Sequence, residues 1–200
     1  MNTEIIKKEA ASCEYIICAD GGVKWAITHN IDPNMIVGDL DSISDTLLFY
    51  YQRKNIPILS YPKDKDETDT HIAITIALQK GASEITILGG IGNRMDHSMG
   101  NILLLIRIAQ KGVKAKLVNQ NNVIFVSNKK IFLDAEPGNI LSILPYGDNV
   151  KIHQTYGLHY PIINRVLPID FPFGISNIIT EKQAWIDIES GWIIFILVKE

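Results

Sequence analysis

Acidic side chains gather at four places in the first half of the sequence, and each place follows a short apolar run. The groups are Asp20 in "ADGG", Asp39 and Asp41 in "VGDLDS", Asp64, Asp66, Glu67 and Asp69 in "KDKDETD", and Asp96 in "GNRMDH". Acidic residues stabilise the first turn of a helix, because they lie near the positive end of its dipole. That effect accounts for one or two carboxylates in a group, whereas carboxylates three residues apart repel each other. The group at 64–69 therefore indicates a nearby cation, and a metal ion is the usual candidate.

The acidic groups and a later glycine-rich stretch together predict phosphoryl chemistry. Carboxylate oxygens suit Mg²⁺, which keeps several waters and binds through a few carboxylates together with substrate phosphates. Asp39 and Asp41, two residues apart, would project to one side of an extended chain, as a metal clamp requires. The stretch "GGIGNR" adds backbone N–H groups and the guanidinium of Arg94, which suit phosphate oxygens. Carboxylates that can bind a metal, together with Gly N–H groups and an Arg side chain that can bind phosphate, indicate phosphoryl transfer involving a nucleotide.

Each motif also has a simpler interpretation. The "DGG" at 20–22 is more often a turn than a catalytic element. The "GGIGNR" stretch lacks the Lys-Ser/Thr ending of a Walker motif and is more often a plain loop. His71 and His97 stand near the acidic groups, where orienting or surface roles are more common than metal binding. The functional interpretation is favoured because four such loops coincide.

The elements that must position these loops follow an alternating pattern from Tyr15 to about Asn119, where short apolar runs take turns with longer amphipathic ones. This pattern predicts βα units and a largely parallel, Rossmann-like sheet. The predicted order is strand "YIICA", helix "GGVKWAITHN", strand "MIVGD", helix "SDTLLFYYQRKN" with Ser44 as N-cap, strand "IPILSYP", a helix from about Glu67 to Lys80 that Gly81 ends, strand "EITILGG", helix "DHSMGNILLLIRIAQKG" and strand "AKLVN". Ligands of open α/β sheets bind outside the carboxyl ends of the strands, so we expect the four acidic loops to converge on one site.

The second half of the sequence has a different pattern, with short strands separated by Gly, Pro and Asn. The predicted strands are "VIFVS", "KIFLDA", "NILSILPYG", "VKIHQTYG", "ISNIIT", "QAWIDI" and "WIIFILVK". No helix is predicted there, and the pattern is typical of an antiparallel sandwich or small barrel. We therefore predict an α/β domain at 1–119 that binds nucleotide and metal, followed by a β-sandwich domain at 120–200.

Composition excludes several classes of protein. The 200 residues are 46% hydrophobic and 20% charged, as in ordinary globular proteins. A formal net charge of -3 gives no overall attraction to nucleic acid or anionic membranes, so a small ligand is favoured. Apolar runs such as "ILLLIRIA" are too short to span a membrane. Cys13 and Cys18 fit neither a disulfide framework nor a zinc site, which predicts reduced core thiols in a cytoplasmic protein.

The sequence resembles the thiamine pyrophosphokinase family, also called thiamine diphosphokinases. The resemblance rests on "ADGG", "VGDLDSI", "KDKDETDTHIA" and "GGIGNRMDHSMGNI" in that order, and on "GLHYPI" followed by "GISN". It spans roughly residues 15–198 and implies transfer of diphosphate from ATP to the hydroxyethyl group of thiamine, giving thiamine diphosphate and AMP, with Mg²⁺ required. The resemblance also implies a homodimer, in which the α/β domain binds the nucleotide and the β-sandwich domain helps to form the thiamine site.

The family motifs carry over onto this sequence residue by residue. The implied metal ligands are Asp39, Asp41, Asp66 and Asp69. The implied contacts to the nucleotide and its phosphates are Asp20, Asp66, Thr68, Asn93 and Arg94. The implied catalytic residues are Asp39, Asp41, Asp69, Arg94 and Asp96, with Asp96 as the acceptor of the hydroxyl proton. Ser176 and Asn177 would lie on the thiamine side, and one of Tyr160, Trp185 and Trp192 could attract the thiazolium ring by a cation–π contact.

One departure from the family leaves alternatives open. Family members begin with another strand and a Gly-containing loop, whereas only "MNTEIIKKEAASCE" precedes the "ADGG" strand in this sequence. The chain would then be truncated, start late, or bind ATP differently. The alternatives to thiamine diphosphate synthesis are a Mg²⁺-dependent diphosphotransferase acting on another alcohol such as a hydroxymethylpterin, a non-catalytic protein that binds thiamine or nucleotide, and a Mg²⁺-dependent phosphohydrolase.

Overall fold

The computed structural model of the protein describes residues 2–199 and contains two compact units, Met1–Leu104 and Leu105–Glu200. The first unit contains helices that alternate with strands. Its elements are α1 (Thr3–Ala11), β1 (Ile17–Ala19), α2 (Gly22–Thr28), β2 (Met35–Gly38), α3 (Asp45–Arg53), β3 (Ile58–Ser60), α4 (Asp69–Gln79) and β4 (Glu84–Leu88), followed by α5 (Met95–Gln110), which continues past Leu104. Strands β1, β2 and β3 form a parallel sheet in that order, which confirms the predicted βα pattern.

The parallel sheet is organised around its middle strand. Ile36 and Val37 of β2 are fully buried, as expected for a strand covered on both faces. Helices α2 and α3 contribute Val23, Ala26 and Tyr51 to the core that includes Ile36. This core fixes β1 and β2 side by side, so the loops that follow them emerge at the same edge of the sheet.

Helix ends in the first unit follow ordinary capping chemistry. The predicted N-cap Ser44 accepts a hydrogen bond from the backbone N–H of Leu47 at 3.3 Å. The fourth helix begins at Asp69 instead of Glu67, because Thr68 is the N-cap and its hydroxyl accepts from the backbone N–H of His71 at 3.2 Å. Gly81, with φ at +80°, follows the end of this helix, as predicted.

The N-terminal segment forms a helix that the sequence analysis left unassigned. The side chain of Asn2 caps α1 by accepting from the backbone N–H of Glu4 at 2.9 Å, and Ile6 is buried. Both cysteines are free thiols. Cys18 is buried as predicted, but Cys13 is exposed beyond the end of α1, so the prediction that it is a core thiol was wrong. Among the described residues, no helix is long and apolar enough to cross a membrane.

The second unit is an antiparallel β structure. Its strands are β5 (Lys114–Val118), β6 (Asn122–Ser127), β7 (Ile131–Phe132), β8 (Ile140–Tyr156), β9 (Ile163–Leu167), β10 (Gly174–Ile178) and β11 (Trp185–Val198). Neighbouring strands follow the order β10-β8-β11-β6-β5, while β7 pairs with β11 and β9 pairs with β8. The described residues after 119 form no helix, which agrees with the prediction. The α/β unit followed by an antiparallel β unit confirms the predicted fold class.

Two details of the strand assignment differ from the sequence prediction, whereas β5 is present as predicted and pairs antiparallel with β6. Strand β9 was not predicted, since four of its five side chains are exposed and its apolar pattern is weak. Two pairs of predicted strands also merge, "NILSILPYG" with "VKIHQTYG" into β8 and "QAWIDI" with "WIIFILVK" into β11.

β8 and β11 are each continuous because the chain changes its side-chain alternation partway along the strand instead of ending it. The pairing of β8 with β11 shifts register between Asp187 and Trp192. Gly191 lies in this segment with φ at +91°, and an added Cβ would lie 2.8 Å from Cγ2 of Val150. On either side of the irregular segment, the core residues are Leu141, Ile143, Val150 and Ile152 of β8 and Ile186, Ile188, Ile193, Phe195 and Leu197 of β11. Both halves of each strand therefore line one core, as in the predicted sandwich.

Candidate active site

Three carboxylates come together at the carboxyl ends of β1 and β2. Ligand oxygens of Asp20, Asp39 and Asp41 all lie within 4.8 Å of one another. Mg²⁺ binds oxygen at about 2.0–2.1 Å, so oxygens on opposite sides of one ion are about 4.2 Å apart. The three carboxylates, which we call the carboxylate triad, therefore have the donor type and spacing that Mg²⁺ requires after small side-chain movements.

Asp20 is held at the triad by its backbone and by Ser42. Its backbone N–H donates to the carbonyl of Val37 at 2.8 Å, and Ser42 Oγ donates to Asp20 Oδ1 at 2.8 Å. Gly38 packs directly against it, since an added Cβ at Gly38 would lie 3.2 Å from the N, Cα and Cβ atoms of Asp20. The close approach of β1 and β2 at this point therefore requires glycine.

Asp39 and Asp41 are brought together by a turn instead of an extended strand. Leu40 between them has φ at +66°, and the backbone N–H of Asp41 donates to Asp39 Oδ1 at 3.1 Å. The extended geometry considered from the sequence is thus not the one adopted, although the predicted convergence of the two carboxylates is achieved.

Lys63, in the loop between β3 and α4, supplies positive charge to the triad. Its Nζ donates to Asp41 Oδ2 at 2.6 Å. The hydrogen bond and charge of Lys63, with a smaller contribution from Lys65, lower the pKa of Asp41. The hydrogen bond and charge of Asp41, together with the charge of Asp39, raise the pKa of Lys63. Two carboxylates of the triad are thus partly neutralised by a lysine.

Asp66 and Asp69, predicted as metal ligands, lie outside the triad. The described residues form one group of three or more acidic or thiol and imidazole ligands at metal-binding distance, and that group contains Asp20 instead. Asp69 Oδ1 forms an ion pair with Lys65 Nζ at 3.1 Å, although this buried oxygen has no well-directed hydrogen bond. Lys65 also donates to the carbonyl of Pro62 at 2.9 Å, and Asp66 is exposed. The predicted set of four metal ligands is not assembled in the structure.

The "GGIGNR" loop after β4 is tied to the start of α5. Ser98 Oγ accepts from the backbone N–H of Gly92 at 3.1 Å and lies 3.1 Å from the carbonyl of Arg94. Asn101 Nδ2 donates to the carbonyl of Gly90 at 2.8 Å. The N–H of Gly92 therefore already has a partner, while the side chains of Asn93 and Arg94 are exposed.

Arg94 and Asp96 form a two-point ion pair. Arg94 Nε donates to Asp96 Oδ1 at 3.2 Å, and Arg94 Nη2 donates to Asp96 Oδ2. The hydrogen bond from Arg94 is the largest cause that lowers the pKa of Asp96 to about 2. A carboxylate with so low a pKa is a weak proton acceptor while this pair persists.

The predicted thiamine-side residues lie in the second unit and have different environments. Asn177 is 4% exposed, and its side chain accepts from the N–H of Tyr160 at 3.0 Å and donates to the carbonyl of Tyr160 at 2.7 Å. Ser176 is exposed with φ at +60°, and its backbone N–H donates to Ser142 Oγ at 3.2 Å. Asn177 is therefore occupied in positioning the loop at Tyr160, whereas Ser176 and the Tyr160 ring face outward.

The three aromatic candidates also differ in accessibility, and Trp192 is half-buried. The Tyr160 ring is exposed and contacts His159 edge-on at 4.6 Å between centroids. Trp185 stacks on Tyr156, and Lys130 Nζ lies 3.9 Å from its ring centroid. A lysine over the indole would repel a thiazolium cation, so Tyr160 is the better-placed ring for a cation–π contact.

Sequence reasoning missed Lys63, Lys65 and Ser42. The lysines alternate with the acids in "KDKDETD", and this alternation was the available signal.

Comparisons with known proteins identify the relatives of this chain. The family model described as "Thiamin pyrophosphokinase, catalytic domain" matches residues 6–117, and "Thiamin pyrophosphokinase, vitamin B1 binding domain" matches residues 119–193. The chain is 27% identical over 182 residues to the thiamine pyrophosphokinase of Bacillus subtilis, covering 90% of this chain and 85% of that one. It is 27% identical over 203 residues to thiamine pyrophosphokinase 1 of Oryza sativa, covering 88% of this chain and 76% of that one.

Solved structures agree with these relationships. The crystal structure of thiamine pyrophosphokinase from Bacillus subtilis superposes with a TM-score of 0.87 at 24% identity, covering 96% of this chain and 92% of that one. A thiamin pyrophosphokinase family protein from Enterococcus faecalis gives a TM-score of 0.83 at 26% identity, covering 96% of this chain and 91% of that one. Since the two family models together span most of the chain, the protein belongs to the thiamine pyrophosphokinase family.

Proposed function

We propose that this protein transfers the diphosphate group of ATP to the hydroxyl group of thiamine, giving thiamine diphosphate and AMP. The observation that carries the proposal is the carboxylate triad, Asp20, Asp39 and Asp41, at the carboxyl ends of neighbouring parallel strands. It occurs in a chain that matches both the catalytic and the vitamin B1 binding models of the family. Functionally, we divide the chain at residues 1–119 for nucleotide and metal and 120–200 for thiamine.

The reaction defines what the protein residues must do. A bond forms between the thiamine oxygen and the β-phosphorus, the bond from that phosphorus to the oxygen bridging to the α-phosphorus breaks, and the hydroxyl proton passes to a base. Most of the rate acceleration in such transfers comes from positioning and from neutralising phosphate charge. Mg²⁺, held by the carboxylate triad, would supply part of that neutralisation. We assign Asp66 and Asp69 to the same metal and nucleotide site, where Asp69 is paired with Lys65.

Contacts to the nucleotide come from loops of the first unit. Thr68 Oγ1 accepts a hydrogen bond as the cap of α4, so its hydroxyl hydrogen remains for donation to a phosphate oxygen. Asn93 and Arg94 project from the loop that precedes α5 and suit phosphate oxygens in the same way. Once Arg94 turns from Asp96 to phosphate, the pKa of Asp96 rises toward its ordinary value. Asp96 can then accept the hydroxyl proton.

The thiamine side is formed by Ser176 and the Tyr160 ring. Both are exposed in the second unit, and Asn177 ties the backbone at Tyr160 to the strand that carries Ser176. We assign Asn177 a positioning role and give the direct contacts to Ser176 and Tyr160. The Tyr160 ring would attract the cationic thiazolium.

The active form we propose is a homodimer. Exposed apolar side chains crowd the segment at 163–178, namely Ile163, Val166, Ile169, Phe171, Phe173, Ile175 and Ile178. Such a concentration is typical of an interaction surface. Ile163→Lys, at 62% exposure, should give a folded monomer by light scattering with size-exclusion chromatography, and a variant that remains dimeric would contradict this interface. Because the reaction consumes ATP, we place the protein in the cytoplasm, which imaging of a fluorescent fusion would test.

The decisive experiment is product analysis. Purified protein is incubated with thiamine, ATP and Mg²⁺, and the products are separated by chromatography. Equal amounts of thiamine diphosphate and AMP support the proposal. Unchanged thiamine accompanied by ADP or free phosphate contradicts it and favours a phosphohydrolase. A hydroxymethylpterin offered in parallel tests the alternative acceptor, and preferred transfer to the pterin would also contradict the proposal.

A further inference from the structure

The Lys63 ammonium forms an ion pair with one carboxylate of the triad. Lys63 Nζ lies 2.6 Å from Asp41 Oδ2, with side chains 76% and 50% exposed. The lysine is thus placed where a metal ion held by the same carboxylates would exert its charge.

A lysine in this position competes with a metal ion. Lys63 holds Asp41 through Oδ2, and a divalent cation bound to either oxygen of that carboxylate would lie close to the ammonium and repel it. Mg²⁺ binding at the triad therefore favours movement of Lys63 away from Asp41. Its exposed and flexible four-carbon stem permits this movement without a change in the fold.

The released ammonium has a natural partner when nucleotide enters with the metal. Phosphate oxygens bound by the metal would lie beside Asp41, within the range of a side chain that already reaches that carboxylate. Lysine binds phosphate as a mobile point charge, and the hydrogen bond is strengthened by that charge. The lysine can therefore exchange one anion for another over a short distance.

We propose that Lys63 is a switching residue, which balances Asp41 in the free protein and transfers to a phosphate oxygen when metal and nucleotide bind. This inference rests on the proposed function, because it takes the triad as the metal site. It makes two predictions of opposite sign. Removing the ammonium should strengthen the binding of metal alone and weaken the binding of nucleotide.

The first unit offers a matched control. Lys54 Nζ pairs with Asp32 Oδ1 at 2.7 Å, with side chains 38% and 60% exposed. Like Lys63 and Asp41, the two residues are 22 positions apart in the sequence. Neither Lys54 nor Asp32 belongs to the triad or to its loops. Lys54→Met therefore removes a surface ion pair away from the proposed site, together with the contact between Lys54 Nζ and the Tyr50 ring at 4.8 Å.

The experiment measures two affinities by calorimetry for the wild type, Lys63→Met, Lys63→Arg and Lys54→Met. The first is the affinity for Mn²⁺ alone. The second is the affinity, at saturating Mg²⁺, for α,β-methylene-ATP, an analogue whose methylene group replaces the bridging oxygen and so cannot be cleaved. In Lys63→Met, Mn²⁺ should bind about 2- to 5-fold more tightly, the range set by loss of an exposed ion pair. The nucleotide analogue should bind about tenfold more weakly, as loss of a charged hydrogen bond predicts. Lys63→Arg should stay near the wild type in both, and Lys54→Met should change neither.

Several results would overturn the inference. They are a Lys63→Met variant with weaker or unchanged Mn²⁺ binding, one with unchanged nucleotide binding, or a wild-type protein that binds no Mn²⁺. Failure of the proposed function is a separate result. If the four proteins show the expected binding pattern but the wild type forms no thiamine diphosphate, the result would contradict the function and support the role of Lys63.

Discussion

Gly38→Ala should damage both the stability of the protein and its metal site. Gly38 ends β2 with φ at +147°, a conformation that residues with a Cβ atom rarely adopt. The added Cβ would also lie 3.2 Å from three atoms of Asp20, two of which belong to the backbone. Because backbone atoms cannot rotate away, Asp20 would have to shift by a few tenths of an ångström.

The cost can be estimated from the backbone strain. A side chain held in a glycine-only conformation costs on the order of 1–3 kcal/mol. For a chain of this length, 1 kcal/mol changes the melting temperature by about 2–4 °C. We therefore expect a fall of about 4–8 °C for a mid-range cost of about 2 kcal/mol. The shift of Asp20 should also weaken Mn²⁺ binding at the triad.

Thermal unfolding followed by circular dichroism, together with Mn²⁺ titration, checks this prediction. Gly100→Ala is the control, since an added Cβ there meets no atom within 4 Å and the residue lies inside α5. Alanine within a helix should stabilise the control by about 0.5–1 kcal/mol. A Gly38→Ala variant with an unchanged melting temperature and unchanged Mn²⁺ affinity would refute the argument that glycine is needed between β1 and β2.

Three further perturbations test the site. Asp41→Asn should reduce turnover by orders of magnitude while the melting temperature stays nearly the same, and near-normal activity would show that Asp41 is not part of one metal site. Asn177→Ala removes the two hydrogen bonds that the buried amide of Asn177 makes with the backbone of Tyr160, so it should cost about 1–3 kcal/mol in urea unfolding and raise the KM for thiamine; a stable variant would contradict the positioning role. Because Arg94 lowers the pKa of Asp96 to about 2, the stabilisation from this pair is present above about pH 4 and is lost as the pH falls through about 2. Carboxyl NMR should show the midpoint of Asp96 rising toward 3.8 in Arg94→Gln, and an unchanged midpoint would exclude Arg94 as the cause.

The parallel part of the fold was predictable because local and global signals agree there. Apolar runs of strand length alternate with amphipathic helices, and caps such as Ser44 mark the helix starts. The position of the acidic loops followed from the direction of the strands, since carboxyl ends of neighbouring parallel strands meet at one edge. This reasoning predicts the proximity of Asp20, Asp39 and Asp41 that the structure shows.

The parts that escaped prediction depend on contacts that sequence spacing does not contain. Turn-like residues such as Gly147 and Gly191 suggested strand ends, yet both lie within long strands whose alternation shifts. Pairing of Lys63 with Asp41 joins loops 22 residues apart and requires knowing that β2 and β3 are neighbours. The amide of Asn177 could serve a ligand or the backbone equally well, and only its burial and its contacts with Tyr160 decide the matter.

The geometry of the triad indicates why a bound cation should stabilise the folded protein. Two residues of the site other than glycine, Asp20 and Leu40, have φ values of +38° and +66°. Left-handed conformations of this kind cost roughly 1–2 kcal/mol for each residue with a Cβ atom. The same turns hold carboxylates of like charge together, and Lys63 offsets part of that repulsion. Since binding only to the folded state adds to its stability, Mg²⁺ should raise the melting temperature of the wild type more than that of Asp41→Asn.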